Sequence, residues 1–261
     1  MNGPRFWPIF FELYESLPRQ GPGNRDCAAR ALAFCRDLPP APAVLDLGCG
    51  VGGQTFHLAD LTSGSIVALD SHVQSIERLQ ATVAVRGLAG RIRPMVGDMA
   101  EPGLRAASFD LVWSEGALYN IGIENALRLC RGLLRAGGYL AFTEAVWRKD
   151  NPPPEVKASF DFDYPAMGKI GSILAIIDRS GFSLTGHFTL PDQAWWKDFY
   201  TPMEIRIEEL RVKYKDDEDA QLVLNRLAQE PAMHRRHSDY YAYEFFVLRR
   251  QSEGCRYSVN A

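Results

Sequence analysis

The stretch VLDLGCGVGGQ, residues 44–54, decides how this chain folds. Val44–Leu47 is a short apolar run of strand character, and four of the next six residues are glycines. Gly48 and Gly50 permit a tight turn and let a ligand lie against bare backbone, while Gly52 or Gly53 lets the following helix pack close to the strand. A helix that starts here presents N–H groups with no intrahelical acceptor.

Outward from that unit the pattern alternates. Apolar strands are expected at 43–47, 65–69, 92–96, 109–113 and 138–143, with helices near 53–61, 72–86 and 123–135. In the last of these, Ile123, Ala126, Leu127, Cys130, Leu133 and Leu134 recur at helical spacing and predict one buried face. Strands alternating with helices of this length argue for a parallel sheet covered on both faces. Pro94 assigns the third strand to an edge, because proline cannot donate to a ladder.

Before the sheet, a short amphipathic helix is expected over 5–17 and another after Asn24, a good N-cap, to about Asp37. Beyond NPPP (151–154) the spacing predicts a helix near 168–180 and a strand at 182–188. The segment 191–238 reads as an insertion with helices around 203–214 and 219–229. YYAYEFFVLRR (240–250) reads as a closing strand that makes an antiparallel hairpin at the sheet edge. This gives an N-terminal helical cap (1–42), an α/β domain (43–190 and 239–250), an insertion serving as a lid, a homodimer surface or both (191–238), and a polar, frayed tail (251–261).

Composition narrows the function classes. Lys plus Arg number 29 against 32 Asp plus Glu, so no basic footprint points to nucleic acid. The five cysteines, at 27, 35, 49, 130 and 255, form no CxxC pair, so neither a metal site nor a disulfide framework is indicated, and a reducing cytoplasm is expected. FWPIFFELYESL is interrupted by Pro8, Glu12 and Glu15 and does not read as a signal peptide. No run approaches the length of a membrane span.

Gly48-x-Gly50-x-x-Gly53 formally satisfies a dinucleotide fingerprint, which alone is weak. Asp46 shifts the balance: a carboxylate facing the crevice would repel a pyrophosphate and suit a cationic ligand bearing an ammonium. The pattern Asp46-x-Gly48-x-Gly50-x-Gly52 resembles the first motif of the class I S-adenosylmethionine-dependent methyltransferases, and the likeness continues over about residues 43–147. Asp70 ends the second strand, like the family's ribose-binding acid. Gly97-Asp98-Met99 resembles its adenine pocket. FDLVWSEGALYNIG (109–122) resembles the loop beside the sulfonium, and LLRAGGYLAFTE (133–144) the glycine turn before the fifth strand. The closer resemblance is to the small-molecule branch that includes ubiquinone and menaquinone methyltransferases, with RQGPG and WSEGALYNIG similar to bacterial members of that branch.

The resemblance implies a Rossmann-like fold, with a mostly parallel seven-stranded sheet, an antiparallel last strand and helices on both faces. It implies S-adenosylmethionine as cofactor, S-adenosylhomocysteine as product, and methyl transfer to a small-molecule acceptor. Cofactor contacts are expected from Asp46, Gly48, Cys49, Gly50, Gln54, Asp70, Ser71, Asp98, Met99, Ser114, Glu115, Tyr14 and Gly21. Glu115 or Tyr119 is the expected general base for a hydroxyl or ammonium acceptor. Tyr119, Asn120, His187, Trp195 and Trp196 are expected at the acceptor wall. Two other readings stay open: an NAD(P)-dependent oxidoreductase on a similar sheet, and a non-catalytic S-adenosylmethionine-binding module. Structural roles stand beside these: Asp98 as a turn cap, Cys49 as a small buried residue, and the tryptophan pair as the insertion's own core.

Overall fold

The computed structural model describes residues 3–252. Helices α1 (Phe6–Tyr14) and α2 (Arg25–Leu32) lead into β1 (Val44–Leu47), α3 (Gly53–Leu61), β2 (Ile66–Asp70), α4 (Val73–Val85), β3 (Ile92–Val96) and β4 (Phe109–Glu115). A 3-10 turn, Leu118–Ile121, precedes α5 (Ile123–Leu133), β5 (Leu134–Trp147), α6 (Pro154–Asp163), α7 (Ile170–Asp178) and β6 (Phe182–Thr189). The short α8 (Gln193–Trp195) runs through a π-helical turn, Trp196–Tyr200, into α9 (Thr201–Lys213), α10 (Glu218–Leu227), α11 (Gln229–His237) and β7 (Tyr241–Arg250).

The strand order is β3-β2-β1-β4-β5-β7-β6. The first five run parallel, and β7 lies antiparallel to both β5 and β6. Pro94 sits on β3, at the edge, as its missing N–H requires. The C-terminal pair is antiparallel as expected, but β7 takes the inner position and leaves β6 outermost. Burial explains the choice. Phe245, Phe246, Val247 and Leu248 are all fully buried, so β7 needs cover on both faces, whereas β6 alternates with exposed positions and tolerates an edge.

Three apolar cores result. One, under α2, α3 and α4, contains Cys27, Leu58, Leu79 and Trp113; a second, under α5 and α7, contains Leu47, Leu127, Phe142 and Ile177. The third, with Leu13, Trp195, Met203 and Leu224, binds α1 to α9 and α10. The segment 1–42 is therefore divided. Its first helix packs on α9 and α10, and α2, capped by Asn24 Oδ1 accepting from Cys27 N at 2.8 Å, packs on the sheet side. Helices α6 and α11 were not legible in the sequence. The prolines that read as a break put Pro154 at the first position of α6, where the missing N–H costs nothing. Ser252 is the last described residue, so residues 253–261 of the expected tail, including Cys255, lie outside the described residues.

Candidate active site at the carboxyl edge of the sheet

The glycine loop leaves β1 at the carboxyl ends of the parallel strands, where open α/β sheets bind ligands. Gly50 has φ +53°, and a side chain there would meet Gln20 Oε1 at 2.2 Å. Free donors are expected at the start of the helix; the N–H groups of the loop before it are already satisfied. Gly48 N and Cys49 N donate to Leu69 O, and Gly52 N to Cys49 O. Gly50 N donates to Asp70 Oδ2 at 2.8 Å and Val51 N to Gln20 Oε1 at 3.2 Å. Asp70 also accepts from His72 N through Oδ1 and remains half-buried at the end of β2. Close approaches at Gly52 and Gly53 come from Leu79 and from the Pro18–Arg19 segment rather than from the strand.

Asp46 does not face the crevice. It is fully buried, with Thr55 Oγ1 donating to Oδ2 at 2.5 Å and Gln54 Nε2 to Oδ1 at 3.2 Å. Burial pushes its carboxyl up to about 7, against the pull of those two hydrogen bonds. Asp46 and Gln54 thus hold the first turn of α3 from beneath.

Sequence reasoning missed Arg19. Its Nη2 pairs with Glu115 Oε2 at 2.7 Å, and both side chains are buried (4% and 2% exposed). Glu115 Oε1 accepts from Trp113 Nε1 at 2.8 Å, since residues two apart on β4 share a face. Both Glu115 oxygens are engaged, which leaves no open acceptor for the general-base role expected of it. Arg19 Nη1 is buried without a partner beside the loop, an orphaned donor that fits an anionic group such as a carboxylate.

The remaining predicted residues divide. Met99 reaches the glycine loop, its Cε 3.2 Å from the position of a side chain on Gly48. Ser71 and Asp98 are exposed, and Asp98 Oδ1 caps its turn by accepting from Ala100 N. Ser114 is buried and donates to Leu47 O, tying β4 to β1, so its expected cofactor contact is replaced by a structural one. Cys49 is a small buried residue with its thiol pushed well up by burial. Gly21 has open space around it and accepts from Arg19 Nε. Asn120 is exposed and folds back onto Ala117 O.

The expected acceptor wall is largely elsewhere. His187 sits on the outermost strand, where its Nδ1 meets Glu244 Oε1 at 2.5 Å. Trp195 is buried against His234 at 4.2 Å, and Trp196 lies under the Arg235 guanidinium at 4.5 Å. Both tryptophans pack in the insertion's own core. Tyr14 stacks on Phe10 and donates to Glu230 Oε2 at 2.7 Å, which places it against the insertion rather than on the glycine loop.

What lies beside the β4 loop is a set of tyrosines and carboxyls. Gly116, φ +64°, leaves room for Tyr243, whose Cε1 is 3.2 Å from where a side chain would start. Tyr119 lies 5.0 Å from Tyr164, ring to ring. Glu144, on β5 one residue past the last pairing with β4, is 1% exposed, and neither of its oxygens has a hydrogen-bond partner of standard geometry. Burial pushes its carboxyl up to about 8, with the nearby Tyr164 hydroxyl opposing.

Known proteins share this fold. A SAM-dependent methyltransferase from Geobacter sulfurreducens, crystallised with S-adenosyl-L-homocysteine, superposes with a TM-score of 0.77 at 20% identity over 92% of this chain and 97% of its own. The fold is that of the class I methyltransferases. Within it, residues 44–138 match the family described as a methyltransferase domain. A sterol 24-C-methyltransferase of Pneumocystis carinii is 27% identical over 59% of this chain and 43% of its own length. A nocamycin O-methyltransferase of Saccharothrix syringae is 34% identical over 49% and 45%. The chain thus matches less than half the length of either curated relative. Among the described residues no helix is long and apolar enough to cross a membrane.

Proposed function

We propose that the protein transfers a methyl group from S-adenosylmethionine to a small-molecule acceptor by direct in-line displacement. The observation that carries this reading is the meeting of two loops at one edge of the sheet. The space that a side chain on Gly48 would fill is bounded by Ala117 Cβ, 2.5 Å away on the β4 loop. Cofactor loop and reaction loop are therefore in direct contact. The inserted antiparallel β7 separates this sheet from the all-parallel dinucleotide fold, which counts against the oxidoreductase reading.

The residues present fit the cofactor. Arg19 Nη1 is free to hold its carboxylate; the family resemblance assigns Asp70 to its ribose and Asp98 with Met99 to its adenine. When bound, the cofactor supplies a methyl group already activated on sulfur. The chain's own work is then to orient the acceptor at roughly 3 Å and to exclude water. Glu115 fixes Arg19, Gly116 opens the approach, and α1 with α8–α11 covers it. A reducing, cytoplasmic setting accompanies the reading, supported by the free, buried Cys27, Cys35, Cys49 and Cys130.

Calorimetry with S-adenosylmethionine, S-adenosylhomocysteine and NADH tests the proposal. The first two should bind and NADH should not. Indifference to both sulfur ligands at millimolar concentration overturns it. Arg19→Ala should weaken S-adenosylhomocysteine more than it weakens the decarboxylated nucleoside methylthioadenosine.

A further inference from the structure

Eight side chains from separate parts of the chain surround the approach past Gly116. Tyr14 comes from α1, Tyr119 from the β4 loop, Glu144 from β5, Asp163 and Tyr164 from the end of α6, Tyr200 and Glu230 from the lid, and Tyr243 from β7. Tyr14, Tyr243 and Glu230 are half-buried. Glu144 and Glu230 both act electrostatically on Tyr119 and on Tyr243, so the two carboxyls share one space.

The charge of that space is one-sided. Glu230 accepts from Tyr14 Oη at 2.7 Å and from Tyr200 Oη at 3.1 Å, and among the described residues no ion pair joins it to a basic side chain. Glu144 accepts nothing of standard geometry, and the residue across the strand pair from it is another acid, Glu244, engaged with His187 and Thr189. The Arg226 guanidinium acts on Asp163 and lies against Phe6 and Phe162. An anionic acceptor would meet uncompensated carboxyls here. A buried, unpaired carboxyl is costly unless a ligand completes it. Tyrosine faces attract cations and are indifferent to the charge of neutral alcohols.

We propose that the methyl acceptor is a small amine, received as its ammonium form by Glu144 within the tyrosine wall. The inference rests on the methyltransferase reading above and names the substrate class of that site. In its ionised form Glu144 takes the ammonium proton, which frees the nitrogen lone pair. That lone pair forms the new N–C bond as the methyl–sulfur bond breaks and its electron pair returns to sulfur as a thioether. Atoms and charge balance with no metal or further reactant: the sulfonium's positive charge passes to nitrogen, the product is the methylated ammonium, and the carboxyl carries the first proton. Tyr119, Tyr164 and Tyr243 line the position of the nitrogen.

The test uses the whole protein saturated with S-adenosylhomocysteine and reads ligand binding by calorimetry. The probes are trimethylammonium, tetramethylammonium, neutral tert-butanol and acetate. The two cations should bind at least about tenfold more tightly than tert-butanol, and acetate should not bind. Glu144→Gln, nearly isosteric, should cut cation affinity about tenfold and leave S-adenosylhomocysteine affinity unchanged; Tyr164→Phe checks the same wall where Glu144→Gln folds poorly. A fold change of about ten corresponds to one step on the affinity scale. Equal binding of tert-butanol and the cations, or unchanged cation affinity in both variants, overturns the amine assignment. Failure of S-adenosylhomocysteine to bind the wild type is a different result, which removes the methyltransferase reading itself.

Discussion

The glycine-loop crevice and the tyrosine–carboxyl space lie on either side of Gly116, and they treat their polar groups in opposite ways. In the crevice every backbone N–H from Gly48 to Gly52 already has an acceptor, and Asp46 and Glu115 are each held by two donors. Across Gly116, Glu144 is as deeply buried as Asp46, and its oxygens have no hydrogen bond of standard geometry, only the nearby Tyr164 hydroxyl. The first region is completed by neighbouring chain segments. The second is completed less fully by the chain itself. Surfaces that bind through fixed geometry and surfaces that bind through unmet polarity can thus sit side by side in one fold.

The sharpest way to break this contrast is to unmake the crevice. Glu115→Ala leaves the Arg19 guanidinium buried and unpaired, and about 3–5 kcal/mol of stability should be lost in urea denaturation. A loss below about 1 kcal/mol would mean that the pair does not close the crevice. The next effect concerns Glu144, faced by Tyr119, Tyr164 and Tyr243 with Glu244 across the strand. Its carboxyl rises from 4.5 to about 8 in the folded protein, so the folded state holds a proton that the unfolded chain releases. The wild type should therefore lose stability relative to Glu144→Gln as pH climbs from 4.5 to about 8. The full gap, on the order of 2–4 kcal/mol, should be present above that range. Asp46 titrates within the same range in both proteins and cancels in the difference. A pH-independent gap would show that Glu144 is solvated like any surface acid.

Gly116→Ala addresses the boundary itself. An alanine there takes a left-handed backbone and presses Tyr243, costing about 1–3 kcal/mol. Turnover should fall more than S-adenosylhomocysteine affinity, and equal losses in both would place Gly116 on the cofactor side alone. The smallest effect lies outside both regions. Asn24→Ala removes the cap of α2 and should lower stability by ~1 kcal/mol with cofactor affinity unchanged, read by thermal unfolding and calorimetry.

The crevice was the legible half. The chain from Val44 to Trp147 announces its strands by apolar runs and its loop by glycines, and local rules place Pro94 at an edge and Asn24 at a cap. Asp46 was found in the right loop and given the wrong surroundings, because facing inward or outward depends on where Thr55 and Gln54 of the next helix come to rest. The glutamate of WSEGALYNIG stood out by position, yet its partner Arg19, 96 residues away, carried no local signal. Glu144 is one acid in an apolar strand, and in sequence nothing connects it to Tyr119 or Tyr164.

The α/β alternation and the glycine loop were readable from the sequence alone, because they follow from short-range periodicity and from backbone freedom at a few positions. That β7 lies inside β6, that α1 packs on the helices of 191–238, that Glu115 is held by Arg19 and that Glu144 meets no donor of standard geometry follows from tertiary packing alone. Burial and hydrogen-bond completion are properties of groups brought together from distant parts of the chain, and no local pattern encodes them.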